Sequence, residues 1–210
     1  MTRLSLTRFP SDPVIPYGEM RALVRNGDVL ICSGSGLFSS MIQRATDSVW
    51  SHTGFILKVE EIDRVMLLES VEPIGVRTVR LSKYLTGYDE KRKTPYKGGV
   101  AIIRHKRFGD LVDRDRLRQL GQYAVECLGH PYDKDEIAKI AARIMTAKVS
   151  FTPQQRRKIR RDNEFICSEY VERCYAEIGI KIKWNRLGFI SPADFAADPN
   201  FKLVGVLKGK

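Results

Sequence analysis

Three apolar runs follow one another between residues 52 and 81: HTGFILKV (52–59), RVMLLESV (64–71) and VRTVRL (76–81). Each is short, holds several β-branched residues and is set off from the next by a few turn-forming or polar residues, so each reads as a strand. Further strands are expected at VLIC (29–32), VAIIRH (100–105) and near 201–207. The second half of the chain is mainly helical in pattern. Strands in succession followed by helices point to an α+β fold, an antiparallel sheet packed by helices.

Asn26-Gly27-Asp28 is a turn, and a helix is expected from Leu37 to Ala45 after the break Ser33-Gly34-Ser35-Gly36. That glycine-rich break lacks the Lys-Ser/Thr ending of a phosphate loop. Residues 86–98 read as a long polar loop. A helix near 111–128 places Leu117, Leu120, Ala124 and Cys127 on one face. Another near 134–147 places Ile137, Ile140, Ala141 and Ile144 opposite lysines and arginines. Prolines at 10, 13 and 16 argue against helix at the start of the chain, so residues 1–25 are expected to form an extended arm. Residues 26–210 then make one domain, with a basic helical insertion at about 134–162.

Composition limits what the chain can do. Hydrophobic content of 43% with 29% charged residues is that of a globular protein. No apolar run approaches the length needed to span a bilayer, and the N-terminus lacks the apolar core of a signal peptide, so a cytoplasmic protein is expected. The cysteines at 32, 127, 167 and 174 form no CxxC pair. Free thiols follow, with neither a zinc site nor another cofactor. The net charge of +11 favours an anionic partner, such as a membrane surface or an acidic peptide. The dense runs KRK (91–93) and RRKIRR (156–161) carry no interleaved aromatics, and no helix-turn-helix or zinc-finger spacing appears, which argues against nucleic acid.

The stretch EFICSEYVERCYAEIG (164–179) carries two cysteines seven residues apart, hence on one helical face with Val171 and Ile178. A nucleophilic cysteine needs its thiolate, which a helix N-terminus and a nearby histidine both favour. Asp162 and Asn163 are N-cap candidates, so Cys167 lies near the positive end of the helix and Cys174 lies two turns inside it. Cys167 is therefore the nucleophile candidate and Cys174 a core residue. Of the three histidines, His105 ends a strand beside Lys106 and Arg107, and His130 sits in the turn Gly129-His-Pro-Tyr-Asp133. His52 instead opens an apolar strand next to Ser51 and Gly54. Glu69, an acid inside an apolar strand, is costly to bury without a partner. A hairpin turning near 60–63 pairs residues whose numbers sum to roughly 121–123, which brings Glu69 beside His52. Glu72 is the alternative orienting acid, and Glu69 at an exposed position is the simpler reading of the same strand.

Gly129-His-Pro-Tyr132, followed by Phe165-Ile-Cys167-Ser168, resembles the signature of NlpC-type papain-like cysteine peptidases. Here GDVLICSGS (27–35), Ser51-His52-Thr53-Gly54 and LLES (67–70) all precede the cysteine helix, whereas ordinary members have the histidine strand after it. That order resembles the circularly permuted branch, the YiiX/YebB-like group, as does Ile190-Ser-Pro-Ala-Asp-Phe195 near the end. The resemblance covers about residues 26–207 and departs from the pattern in the long separation of Tyr132 from Cys167. It implies a permuted papain-like fold with the catalytic cysteine at a helix N-terminus, and a triad of Cys167 as nucleophile, His52 as base and Glu69 as orienting acid. Tyr132, Ser51 and Ser168 would bind substrate. The implied chemistry is thiol acyl transfer on a small peptide- or acyl-containing substrate. A papain-like module that binds lipid or an anionic partner without turnover is the alternative.

Overall fold

The computed structural model describes residues 4–89, 91–133, 166–184 and 189–209. Six strands form one sheet: β1 (Val29–Gly34), β2 (His52–Val59), β3 (Arg64–Val71), β4 (Gly75–Arg80), β5 (Gly98–His105) and β6 (Phe201–Lys208). Their order is β4-β3-β2-β1-β5-β6, and every neighbouring pair is antiparallel. The runs at 52–59 and 64–71 are strands over their full length, and the short connections between successive strands permit only the antiparallel arrangement.

The central strands are apolar on both faces because both faces are covered. Val29, Ile31, Phe55, Leu68, Ala101 and Ile103 point to one side. They meet Leu120 and Ala124 of α5 (Arg114–Glu126), and Tyr170, Val171, Cys174 and Tyr175 of α6 (Cys167–Glu177). Leu30, Cys32, Ile56, Leu67, Val100 and Ile102 point to the other side. There they pack under Met20 and Val24, at and just beyond α1 (Tyr17–Leu23), and under Leu81, Tyr84 and Tyr96. The Tyr170 hydroxyl donates to the Ala124 carbonyl at 2.7 Å, tying α6 to α5. The Tyr175 hydroxyl donates to the Gly27 carbonyl at the start of β1.

One expectation is corrected. The N-terminal arm is not extended throughout, since α1 begins immediately after Pro16, which serves as its N-cap. Proline obstructs a helix interior but is compatible with a helix start. Ahead of it, Val14 bridges Val206, with Ile15 N–H donating to the Val206 carbonyl at 2.8 Å, so the arm lies along edge strand β6. The helix expected near 111–128 is α5, preceded by the short α4 (Phe108–Leu111). Asp113 starts α5 as its N-cap, accepting from the Arg116 N–H at 2.8 Å. The polar loop after β4 opens with a single helical turn, α3 (Lys83–Thr86). Helix α2 (Leu37–Thr46) falls where it is expected, and α7 (Pro192–Ala197) follows a Ser191/Asp194 capping box. The basic helix near 134–147, the RRKIRR run and the Asp162-Asn163 caps lie outside the described residues. Among the described residues no helix is long and apolar enough to cross a membrane.

One glycine joins the sheet to the turn that carries Tyr132. Gly75 opens β4 at φ +89°, and a Cβ there would stand 2.0 Å from the His130 carbonyl oxygen. Val76 N–H donates to the same carbonyl at 2.8 Å, and Gly129 N–H donates back to the Val76 carbonyl at 2.9 Å. Gly75→Ala should therefore cost at least about 1–3 kcal/mol, because it adds left-handed backbone strain to a backbone clash. Urea unfolding measures this, and an unchanged midpoint would show that the 129–132 turn does not depend on Gly75.

Candidate active site

Helix α6 begins at Cys167 itself. Its N-cap is Ile166, in an extended conformation with no side-chain cap, so the sulfur sits at the first helical position, nearer the end than the expected caps implied. The unpaired N–H groups of a first turn make this the positive end of the helix. Cys167 is 3% exposed.

His52 is the first residue of β2 and pairs across the sheet with Cys32. The β2–β3 register is Phe55↔Leu68, whose numbers sum to 123, within the expected window. Continued by one residue, this register puts Glu69 opposite Gly54, diagonal to His52 on the same face. The absence of a side chain at Gly54 matters here, because a Cβ would stand 2.7 Å from Leu67 Cδ1 and 3.3 Å from Glu69 Cβ. The carboxylate then reaches across, and His52 Nε2 lies 2.7 Å from Glu69 Oε2. Glu72, the alternative acid, is exposed in the β3–β4 turn.

Two residues not foreseen from the sequence complete this group. Arg77 is the register partner of Glu69 on β4 and donates to Oε1 from Nε at 2.9 Å and from Nη2 at 2.8 Å. The Tyr84 hydroxyl of α3 donates to Oε2, and the Tyr84 ring lies nearly parallel to the imidazole, with centroids 6.4 Å apart. Arg77 could have been found by continuing the hairpin register past 72–74. Nothing in the local sequence marks Tyr84.

The electrostatics follow from this chain of contacts. Burial pushes the Glu69 carboxyl up, but His52, Arg77 and Tyr84 outweigh it and hold the group below the ordinary carboxylate value. Burial pulls His52 down, whereas the Cys167 thiolate, followed by Glu69, lifts it to about 10. Burial pushes the Cys167 thiol up. The charge and hydrogen bond of His52, with the backbone N–H groups of Thr53 and Ser168, bring it below an ordinary thiol. Glu69 occupies Nε2, which leaves Nδ1 as the ring nitrogen that can serve Cys167. Both shifts favour a thiolate–imidazolium pair. Burial moves the other three thiols the opposite way, Cys32 and Cys174 strongly and Cys127 less.

An apolar cleft of about 340 Å³, counting space open to solvent, lies against the sulfur. Phe38, Met41 and Ile42 of α2 form one wall, and Tyr132, Ile166, Phe189 and Pro192 form the rest. Tyr132 meets Phe38 edge-on at 6.2 Å between centroids. Of the expected substrate-binding residues, Tyr132 and Ser168 border this cleft. The Ser168 hydroxyl is committed to the Ile190 carbonyl at 2.8 Å. Ser51 is elsewhere: its hydroxyl accepts from Gly34 N–H at 2.9 Å and braces β1 against the start of β2. The α2 wall was read in the sequence as a helix, without a role in the site.

This geometry ranks the thiols. Iodoacetamide at neutral pH should alkylate Cys167 first, with Cys32 and Cys174 reacting only on unfolding; mass spectrometry of the labelled peptides reads the order. Labelling of Cys127 or Cys32 ahead of Cys167 would contradict the charge assignment. Glu69→Gln should slow Cys167 labelling near neutral pH, because an amide no longer holds His52 protonated against the thiolate. It should also lower stability by up to about 3 kcal/mol by leaving Arg77 without its counter-ion.

No family model matches the chain, and no curated protein matches it. Among solved structures it is similar to the crystal structure of metalloprotein YiiX from Escherichia coli O157:H7, a DUF1105 protein. The TM-score is 0.58 at 20% sequence identity, covering 86% of this chain and 96% of that one. Among the described residues here, no group of three or more His, Cys, Asp or Glu side chains is placed to hold a metal ion. Glu69 is already engaged by Arg77, Tyr84 and His52. The similarity, at this level of identity, is one of fold: the chain has a YiiX-like α+β architecture.

Proposed function

We propose that the protein is a cysteine-dependent acyl hydrolase with a circularly permuted papain-like fold, acting through Cys167, His52 and Glu69 on a peptide amide or a lipid acyl bond. The observation that carries this reading is the 2.7 Å contact of His52 with Glu69 together with Cys167 at the helix start, close enough to His52 for each to shift the other's ionisation, beside an apolar cleft. The order of elements, histidine strand before cysteine helix, supports the permuted form.

The Cys167 thiolate attacks the carbonyl carbon of the substrate, and the carbonyl oxygen takes the negative charge. The backbone N–H of Cys167, at the start of α6, would donate to that oxygen. His52, protonated at the outset, gives its proton to the leaving nitrogen or oxygen as the carbon–heteroatom bond breaks, which leaves a thioester on Cys167. Neutral His52 then takes a proton from water, whose oxygen attacks the thioester. The acid product leaves and the thiolate–imidazolium pair is restored. Glu69 remains ionised throughout and keeps the ring oriented, with Arg77 and Tyr84 fixing its carboxylate.

Activity should rise with pH as the Cys167–His52 pair ionises, at a pH below the ordinary thiol value, and should fall near pH 10 as His52 loses its proton. Glu69 raises the His52 pKa, so Glu69→Gln should move the alkaline limb to lower pH. It should also reduce turnover less than Cys167→Ala, which removes the nucleophile. The assay is hydrolysis of a panel of p-nitrophenyl acyl esters and peptide anilides by wild type, Cys167→Ala and Glu69→Gln. Activity retained in Cys167→Ala would end the proposal. Efficient Cys167 labelling with no turnover on any substrate would favour a non-catalytic binding module.

A further inference from the structure

We propose that the rim formed by the start of α2 and the 87–97 loop is a docking face for an anionic phospholipid surface. Helix α2 has no buried residue, although Phe38, Met41 and Ile42 are half-buried as a wall of the cleft. Leu37, at its first position, is 86% exposed. A single exposed leucine is ordinary, and the charge around this one is what distinguishes it. Ser35, Gly36 and Ser39 face Asp89, Thr94 and Lys97 across an open pocket of about 1040 Å³, again counting space open to solvent. The Lys97 carbonyl accepts from Ser35 N–H at 3.2 Å, which holds the loop against the approach to α2. Lys91, Arg92, Lys93 and Lys97 are all exposed on this loop, and Arg44 is exposed on α2. Five basic residues thus stand near Asp89, which pairs with Arg92 at 3.9 Å, and no acid occurs in the sequence from Ser33 to Thr46.

The opposite end of the sheet supplies the comparison. Leu23 and Ile62 are exposed there too, at 47% and 60%, but the exposed Arg25 and Arg64 of that end are offset by Glu60, Glu61 and Asp63. Arg21 and Lys58 are paired with Asp63 and Glu60. An exposed leucine and an excess of basic residues therefore share the end where β2 and α6 begin, which is also where the cleft lies. An apolar residue that can enter the headgroup layer, flanked by lysines and arginines, is the combination that binds anionic bilayers, at roughly fivefold in affinity per basic residue near the surface.

The test is co-sedimentation with phosphatidylcholine vesicles, with and without phosphatidylglycerol, at low and physiological salt. It uses Cys167→Ala protein, so that lipid is not consumed and the result is independent of the hydrolase reading. Binding should require phosphatidylglycerol and weaken with salt. Leu37→Asp and the triple change Lys91→Glu, Arg92→Glu, Lys93→Glu should each reduce it at least about tenfold. Leu23→Asp should leave it unchanged, and all variants should keep the parent melting temperature, since these side chains are exposed. Equal binding to both vesicle types, or equal loss in Leu23→Asp and Leu37→Asp, overturns the proposal. So does a concentration-dependent dimer that is abolished by Leu37→Asp without any vesicle binding, which would assign the face to a second copy of the chain.

Discussion

A carboxylate removed wholly from water costs several kcal/mol unless its oxygens are filled with good partners. Glu69 is completely buried and accepts four hydrogen bonds, two from Arg77, one from Tyr84 and one from His52. The rest of the site depends on that arrangement. With Arg77 positive and Glu69 negative, a positive His52 is the favourable next member, and a negative Cys167 follows. Four charges alternate in sign from the β4 edge of the sheet to the start of α6. Each is stabilised by its neighbours, so the thiolate is reached without any one group standing alone in an apolar interior.

The fold brings this line of charge to one end of the sheet. Antiparallel pairing places the start of β2, the end of β3 and the start of β4 together, and α6 lies across β2 and β3 with its first residue at that same end. The site therefore combines two rigid sources: strand register fixes His52, Glu69 and Arg77, and the helix start fixes Cys167. Tyr170 and Tyr175, by bonding to carbonyls of Ala124 and Gly27, hold the helix to its neighbours, which limits how far the sulfur can move relative to the imidazole.

Much of this was legible in the sequence because it depends on simple periods. The strands at 52–59 and 64–71 and the hairpin between them follow from alternation and turn position, and the pairing of Glu69 with His52 follows from the register. The ranking of Cys167 over Cys174 needed only distance from a helix start. What escaped was determined by contacts rather than periods. Tyr84 belongs to a four-residue helix within a polar segment, and its role depends on how that segment folds back over the sheet. Ser51 looked like a cleft residue because it precedes His52, yet strand geometry turns its hydroxyl toward Gly34. The first helix was hidden by three prolines, the last of which caps it.

The direct pairing of Glu69 with Arg77 makes the turn between β3 and β4 a spacer. Residues 72–74 are exposed and bear no catalytic group. What the site requires of them is their number. One residue more or fewer would slide β4 past β3 by a single step and carry Arg77 to the other face of the sheet, where the apolar residues of α5 and α6 are packed. The buried carboxylate would lose its cation, and a guanidinium would enter the core. In this part of the chain insertions and deletions are therefore more damaging than substitutions, although the segment has the appearance of an ordinary surface turn.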